Sequence, residues 1–383
     1  MKIIKYSRIS QINIGDVFIS AAINFADEKT SNNVLENQDL LFEDFELNKR
    51  IDAASKSNKF YQVKKRSKIS SFCILLIKIL LFHIKDQKKI MKQIKASEVV
   101  FIGGGNIISE HNGSDLFYRV CQLAKMGSKQ NKKIVVYGVG MGPFEFSYKK
   151  RLASLINLSH YFSVRDSNSF LIANSIGYEL NKNIAQNIDP GFLISDMQPQ
   201  IAEEKKFIGL NFMNFGRIVE NSEFEVSVVI ENLIELHSYY KMPFKIINTS
   251  FGEDLSISLN IKEILLAAGI PVSIYNIKNL KEVSFAYSDL KFFIASRMHS
   301  SIFAMSYNVP TLIFSWHPKV EFLMDLLFGV NRLNVLLESE NFDATEIIFK
   351  ISNYSKVINL ENIINAKKIN IYNDYEKIFQ VIN

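Results

Sequence analysis

The sequence predicts an α/β protein of two domains, each a parallel sheet wound with helices. Short apolar runs alternate with helical patterns many times over, which is the signature of βαβ units. Several of these runs end in glycines or in Arg, Asp and His, the residue types that collect at the carboxyl edge of a parallel sheet. A polar, charged stretch around Met197 to Lys206 (QPQIAEEKK at its centre) interrupts the series once. With 383 residues the chain also exceeds one ordinary core.

In the first series, Lys2 to Tyr6 reads as a strand and Asp16 to Phe25 as a helix. Residues 26–60 read as a polar, loop-rich excursion. Val99 to Ile102 is a strand ending in Gly103-Gly104-Gly105-Asn106, followed by a helix over Asp115 to Met126. Ile134 to Tyr137 is a strand ending in Gly138-Val139-Gly140-Met141-Gly142-Pro143, and Pro143 suits the first turn of the helix over Tyr148 to Leu158. Tyr161 to Val164 ends in Arg165-Asp166, with Asp166 or Ser167 placed to cap a helix over Ser169 to Ser175. A further strand end falls at Asp189-Pro190.

The second series runs through strand Phe207 to Asn211, helix Val226 to Tyr240, strand Phe244 to Asn248 and helix Ser256 to Ala268. Strand Val272 to Tyr275 and helix Leu280 to Tyr287 follow. Strand Lys291 to Ala295 then delivers Ser296-Arg297-Met298-His299 to a helical pattern over Ser301 to Tyr307. After a turn at Asn308-Val309-Pro310, strand Thr311 to Phe314 delivers Ser315-Trp316-His317-Pro318-Lys319. The expected domains are residues 1–196 and 205–345, with a helical tail over 346–383 crossing back to the first domain.

Composition narrows the function. The net charge is +6, from 45 Lys and Arg against 39 Asp and Glu. These cations are spread out and no basic run is interleaved with aromatics, so nucleic acid is not expected as a partner. An anionic small substrate or an anionic membrane surface is the better inference. Two cysteines, Cys73 and Cys121, argue against a disulfide scaffold and suit a reducing, cytoplasmic compartment. No secretory signal is visible. The six histidines lack metal-ligand spacing, and no metal is expected.

The longest apolar run, Ser71 to Phe82, is broken by Lys78 and is too short to span a bilayer. Lys64, Lys65, Arg66 and Lys68 precede it, and Lys85, Lys88 and Lys89 follow. It reads either as a buried helix with solvated ends or as a helix dipping into the membrane interface, which would make the protein peripheral at the inner face of the membrane.

Arg165, Arg297 and Lys319 stand at strand ends and suit an anion, while His299 suits proton transfer near neutral pH. His317 reads more simply as a helix-start residue before Pro318, and Asp16 as a cap of the first helix or a side chain facing the cleft. The glycine turns lack the spacing of a dinucleotide fingerprint, and no zincin, nucleophile-elbow or P-loop motif is present.

These motifs, in order, resemble the polysaccharide pyruvyl transferase family. They are N-x-G-D at Asn13 to Asp16, the triple glycine at Gly103 to Gly105, G-x-G-x-G-P at Gly138 to Pro143, S-V-R-D at Ser163 to Asp166, D-P at Asp189-Pro190, and R-x-H at Arg297 to His299 with Lys319 beyond. Residues 26–95 align with no motif of the family.

The resemblance implies two Rossmann-like domains facing a cleft, as in GT-B glycosyltransferases. It implies transfer of the pyruvate unit of phosphoenolpyruvate onto two hydroxyls of a sugar, in a surface polysaccharide or its lipid-linked precursor. A cyclic ketal forms and phosphate leaves, with no cofactor. Arg165, Arg297 and Lys319 would hold phosphoenolpyruvate and His299 would be the acid or base. Asn13, Gly15, Asp16, Gly104, Gly105, Asn106 and Gly140 would face the saccharide acceptor. Two rivals stay open: a GT-B glycosyltransferase using a nucleotide sugar, and a non-catalytic carbohydrate-binding or scaffold protein.

Overall fold

In the computed structural model, the described residues are 1–7, 14–30, 34–39, 67–110, 113–199, 204–213, 226–338 and 342–383. The first half opens with β1 (Lys2–Ser7), α1 (Ile14–Thr30) and β2 (Val34–Asp39), then α2 (Lys68–Leu81) and α3 (Gln87–Lys95), joined by a π turn over Phe82–Asp86. Next come β3 (Val99–Gly103), β4 (Ile108–Glu110), α4 (Leu116–Lys129), β5 (Lys133–Val139) and β6 (Met141–Phe144). It closes with α5 (Lys149–Leu158), β7 (Tyr161–Val164), α6 (Ser167–Glu179), β8 (Ala185–Gln186) and α7 (Ile194–Met197). The second half holds β9 (Phe207–Asn211), α8 (Val226–Tyr240), β10 (Phe244–Asn248), α9 (Phe251–Ala267), β11 (Val272–Asn276) and α10 (Glu282–Tyr287). It continues with β12 (Leu290–Ala295), α11 (Met298–Ser306), β13 (Thr311–Phe314), α12 (Pro318–Phe328), β14 (Leu336–Leu337), α13 (Ala344–Val357) and α14 (Leu360–Ile382).

Two six-stranded parallel sheets result, ordered β2-β1-β3-β5-β7-β8 and β11-β10-β9-β12-β13-β14. The second has the Rossmann order, its strand sequence reversing between β9 and β12; in the first, the reversal falls between β1 and β3. Strands covered on both faces need apolar side chains throughout, and β3 (VVFIG) is buried at every position. β2 (VLENQD) is polar because it is an edge strand of its sheet.

The two halves are tied at two places. Across the cleft floor, the rings of Phe18 on α1 and Phe303 on α11 meet with centroids 5.6 Å apart. At the back, α14 crosses to the first sheet: Tyr375 packs edge-on against Tyr137 at 4.9 Å, and Asp374 accepts hydrogen bonds from Asn187 and the Tyr161 hydroxyl. Lys368, one turn and a half earlier, reaches Asp196 at 2.6 Å. The fold is therefore α/β with two Rossmann-like domains facing a cleft and a C-terminal helix crossing back to the first.

Some details depart from the sequence reading. The polar excursion begins later, because α1 continues to Thr30 and Val34–Asp39 pairs with β1; residues 40–60 lie outside the described residues. Pro143 does not open a helix: it follows a cis peptide inside β6, which pairs with β4, and α5 begins only at Lys149. Asp16 lies inside the first turn of α1, not before it. The buried-helix reading of residues 71–82 fails, since only Ser71, Leu75 and Phe82 among them are buried.

A cleft between the sheet edges with a paired arginine–histidine centre

The carboxyl edges of the two sheets face each other, and a cleft of about 650 Å³ lies between them. Asn106, Met141, Pro143, Arg165 and Asp189 line it from one side, and Trp316, His317, Lys319 and Phe322 from the other. A smaller cavity of about 130 Å³ adjoins it, lined by Asp16, Asn106, Arg165, Thr249, Arg297, His299, Trp316 and Lys319.

Arg165 follows β7 directly and is buried, with Asp166 behind it capping α6 by accepting from Ser169 N at 2.7 Å. Its Nη1 donates to Asp189 Oδ2 and stands 3.3 Å from His299 Nε2. Arginine has only donors, so a bond to Nε2 requires that nitrogen to accept. Asp189 Oδ2 lies 3.7 Å from the same nitrogen, within ion-pair range but beyond a hydrogen bond. One ring nitrogen thus has a donor for its neutral form and a carboxylate for its protonated form. Burial would raise the Asp189 carboxyl, but the Arg165 guanidinium, His299 and the Gly191 N–H outweigh it and hold it at about 2.

Glycines in the first half make room for this centre. A Cβ on Gly15 would fall 2.3 Å from His299 Nδ1, so α1 can approach α11 only with glycine there. A Cβ on Gly140 would fall 2.7 Å from Asn106 Oδ1 and 3.1 Å from Arg165 Nε. Gly104 and Gly105 have positive φ (79° and 78°), turning the chain under Ile19 and Asp16. Asn106 is fixed by donating to Gly142 O at 2.7 Å. Asn13 lies outside the described residues.

From the second half, Arg297 and His299 flank the start of α11, as Ser296 Oγ and Asn211 Oδ1 hold the β12 end through Met213 N and Arg297 N. Arg297 does not enter the cleft as a bare cation. Its Nε donates to Asp254 Oδ2 at 2.8 Å and its Nη2 to Asp254 Oδ1 at 2.6 Å, with Asp254 fully buried. Lys319 Nζ sits 4.6 Å from the Trp316 ring centroid, a cation–π contact. His317 caps α12, accepting from Lys319 N at 3.2 Å, as its simpler reading has it; burial and Lys319 lower its pKa.

The structure thus brings Asp16, Asn106, Arg165, Arg297, His299 and Lys319 to one place, while Gly15, Gly104, Gly105 and Gly140 back its walls. Sequence reasoning gave Asp189 and Trp316 no role and passed over Asp254 and Thr249. The signal for Asp254 was its position soon after β10, hidden by starting the next helix at Ser256. Thr249 directly follows the same strand; its Oγ1 is buried with no hydrogen-bond partner among the described residues, although the residue lines the smaller cavity. Among the described residues no group of three or more His, Cys, Asp or Glu is placed to hold a metal ion.

Solved structures place this architecture in the two-domain GT-B class. The UDP-GlcNAc 2-epimerase from Methanocaldococcus jannaschii superposes with a TM-score of 0.52 at 12% identity over 92% of each chain. That from Neisseria meningitidis, bound to UDP-GlcNAc, gives 0.50 at 12% identity over 99% of this chain and 100% of its own. At such identity the likeness speaks for the fold alone. Within that class, the sequence matches the family model of polysaccharide pyruvyl transferase over residues 13–318, and the chain belongs to this family. No curated protein matches it significantly.

Proposed function

We propose that the chain transfers the pyruvate unit of phosphoenolpyruvate onto two hydroxyls of a sugar, in a surface polysaccharide or its lipid-linked precursor, forming a cyclic ketal and releasing phosphate. The observation that carries this reading is His299 Nε2 held between Arg165 and Asp189, beside a small cavity that Arg297 and Lys319 also line. Phosphoenolpyruvate brings a phosphate and a carboxylate, and arginine grips either one bidentately. Pairing with Asp254 and Asp189 fixes both guanidinium planes before the ligand arrives, which lowers the cost of ordering them on binding. The Thr249 hydroxyl, without a hydrogen-bond partner among the described residues, offers a further hydrogen bond at that cavity.

In the proposed reaction a sugar hydroxyl attacks C2 of the enol while a proton reaches C3. Phosphate departs, and the second hydroxyl closes on C2 to form the ketal. His299, able to hold or release a proton at Nε2, is the acid or base. Arg165, Arg297 and Lys319 stabilise charge on the departing phosphate. The acceptor lies in the larger cleft, against Asn106, with Trp316 and Phe322 offering apolar surface to a sugar face; Asp16 lines the adjoining smaller cavity, and Gly15, Gly104, Gly105 and Gly140 leave room for the chain around it. No metal or cofactor takes part.

Thermal denaturation with added ligand tests the donor. Phosphoenolpyruvate should raise the melting temperature saturably and a nucleotide sugar should not. The reverse result would move the chain to nucleotide-sugar chemistry.

A further inference from the structure

The surface of α2 carries an exposed apolar stripe that nothing in the proposed reaction uses. Ile69 (79% exposed), Phe72, Leu76, Ile77 and Leu80 (60%) stand on it, and Ile84 (66%) extends it through the π turn. Ser71, Leu75 and Phe82, on the other side, seat the helix on the domain. The spacing 69, 72, 76, 80 keeps the outer residues on one face of a helix. From 69 to 84 the stripe runs about 24 Å. Contiguous exposed apolar surface of this kind marks an interaction site.

Charge identifies what covers it. Lys68, Lys85, Lys88, Lys89 and Lys92 are exposed along α2, the π turn and α3. The sole acid between residues 67 and 95, Asp86, is paired with Arg119 at 3.0 Å. An isologous contact with a second copy would set this lysine-rich patch against itself, so like charges would oppose it. An apolar stripe bordered by lysines is instead the pattern of a helix lying in a bilayer interface, its cations on anionic headgroups. Among the described residues no helix is long and apolar enough to cross a membrane, so the contact is with the surface layer.

We propose that α2, the π turn and α3 dock the protein on an anionic lipid bilayer, with Ile69, Phe72, Leu76, Ile77, Leu80 and Ile84 entering the acyl boundary. The docking face adjoins the cleft. Phe72 meets Phe146 edge-on at 5.7 Å, and Phe146 closely follows the Met141–Pro143 segment that lines the larger cavity. A saccharide carried on the bilayer would therefore be presented beside the acceptor side of the site. That last consequence rests on the pyruvyl transfer reading; the docking itself does not.

The test uses the full chain and vesicles of phosphatidylcholine with or without phosphatidylglycerol. Exposed Cys73 is labelled with an environment-sensitive fluorophore; Cys121 is buried, its thiol pushed up to about 12 by burial, and stays unlabelled. The protein should sediment with the anionic vesicles, the label should shift to the blue only when they are added, and high salt should weaken both. The double variant Leu76→Glu, Leu80→Glu should abolish binding, and Lys85→Gln, Lys88→Gln, Lys89→Gln together should lower partitioning on the order of a hundredfold. All these positions lie outside the cleft, so phosphoenolpyruvate binding should persist in every variant whether or not vesicles bind. Failure to sediment with anionic vesicles would overturn the docking. So would a label already blue-shifted without vesicles, meaning that the chain itself covers the stripe. A dimer that the double variant dissociates would also overturn it, assigning the stripe to a second copy.

Discussion

His299 stands where Arg165 and Asp189 from the first half converge on Nε2, and where Gly15 leaves room for the other side of the ring. If it moves the proton, His299→Ala should lower kcat by at least about a hundredfold and leave phosphoenolpyruvate binding in place; near-normal turnover would remove it from the chemistry. Asp189 gives a second test at this scale. Its carboxyl ionises at about 2 in the fold, against about 3.9 in an unfolded chain. A depressed carboxylate stabilises the fold above the unfolded value, so its contribution is complete from neutrality down to about pH 4 and is lost between about 4 and 2. The stability gap between the wild type and Asp189→Asn, from denaturant unfolding, should shrink over that window. A gap unchanged down to pH 2 would contradict the assigned pairing. Arg165, Arg297, His299 and Lys319 were legible in the sequence because each follows an apolar strand. Their carboxylate partners were not, because Asp189 and Asp254 lie 24 and 43 positions from the arginines they meet, and only the folded sheet edges bring them within reach.

At the scale of elements, the seam between α1 and α11 sets the geometry of the centre. Gly15→Ala would place a methyl within 2.3 Å of His299 Nδ1 and must move the ring or part the helices. Turnover should fall by at least about tenfold with the protein still folded, since misplacing a reacting group by a fraction of an ångström is costly; normal kinetics would mean the seam gives way freely. The strands at Tyr161–Val164, Phe207–Asn211, Phe244–Asn248 and Thr311–Phe314 match the sequence reading because continuous apolar runs in buried parallel strands leave little ambiguity. Helix starts were less legible. Those of α9 and α11 come five and three residues earlier than the apolar periodicity suggests, since first turns need not be apolar. The edge strand β2 was missed for a similar reason: its composition reads as loop. For α2, hydrophobicity announced a helix but could not say which face the domain would cover.

Taken whole, the molecule is two Rossmann-type parallel sheets whose carboxyl edges face each other across a cleft, tied at the back by α14. The same architecture is found in the UDP-GlcNAc 2-epimerases at 12% identity, so the fold does not choose the reaction. The family is polysaccharide pyruvyl transferase, and on the proposed reading the reaction is set by the centre where Arg165, Asp189 and His299 adjoin Arg297 and Lys319. The most direct test is to incubate the purified protein with phosphoenolpyruvate and a panel of saccharide acceptors, following inorganic phosphate together with product mass. Phosphate release that depends on one acceptor, with a pyruvate ketal on that sugar, is the result expected. Absence of phosphoenolpyruvate binding, with transfer of a glycosyl unit from a nucleotide sugar instead, would contradict it.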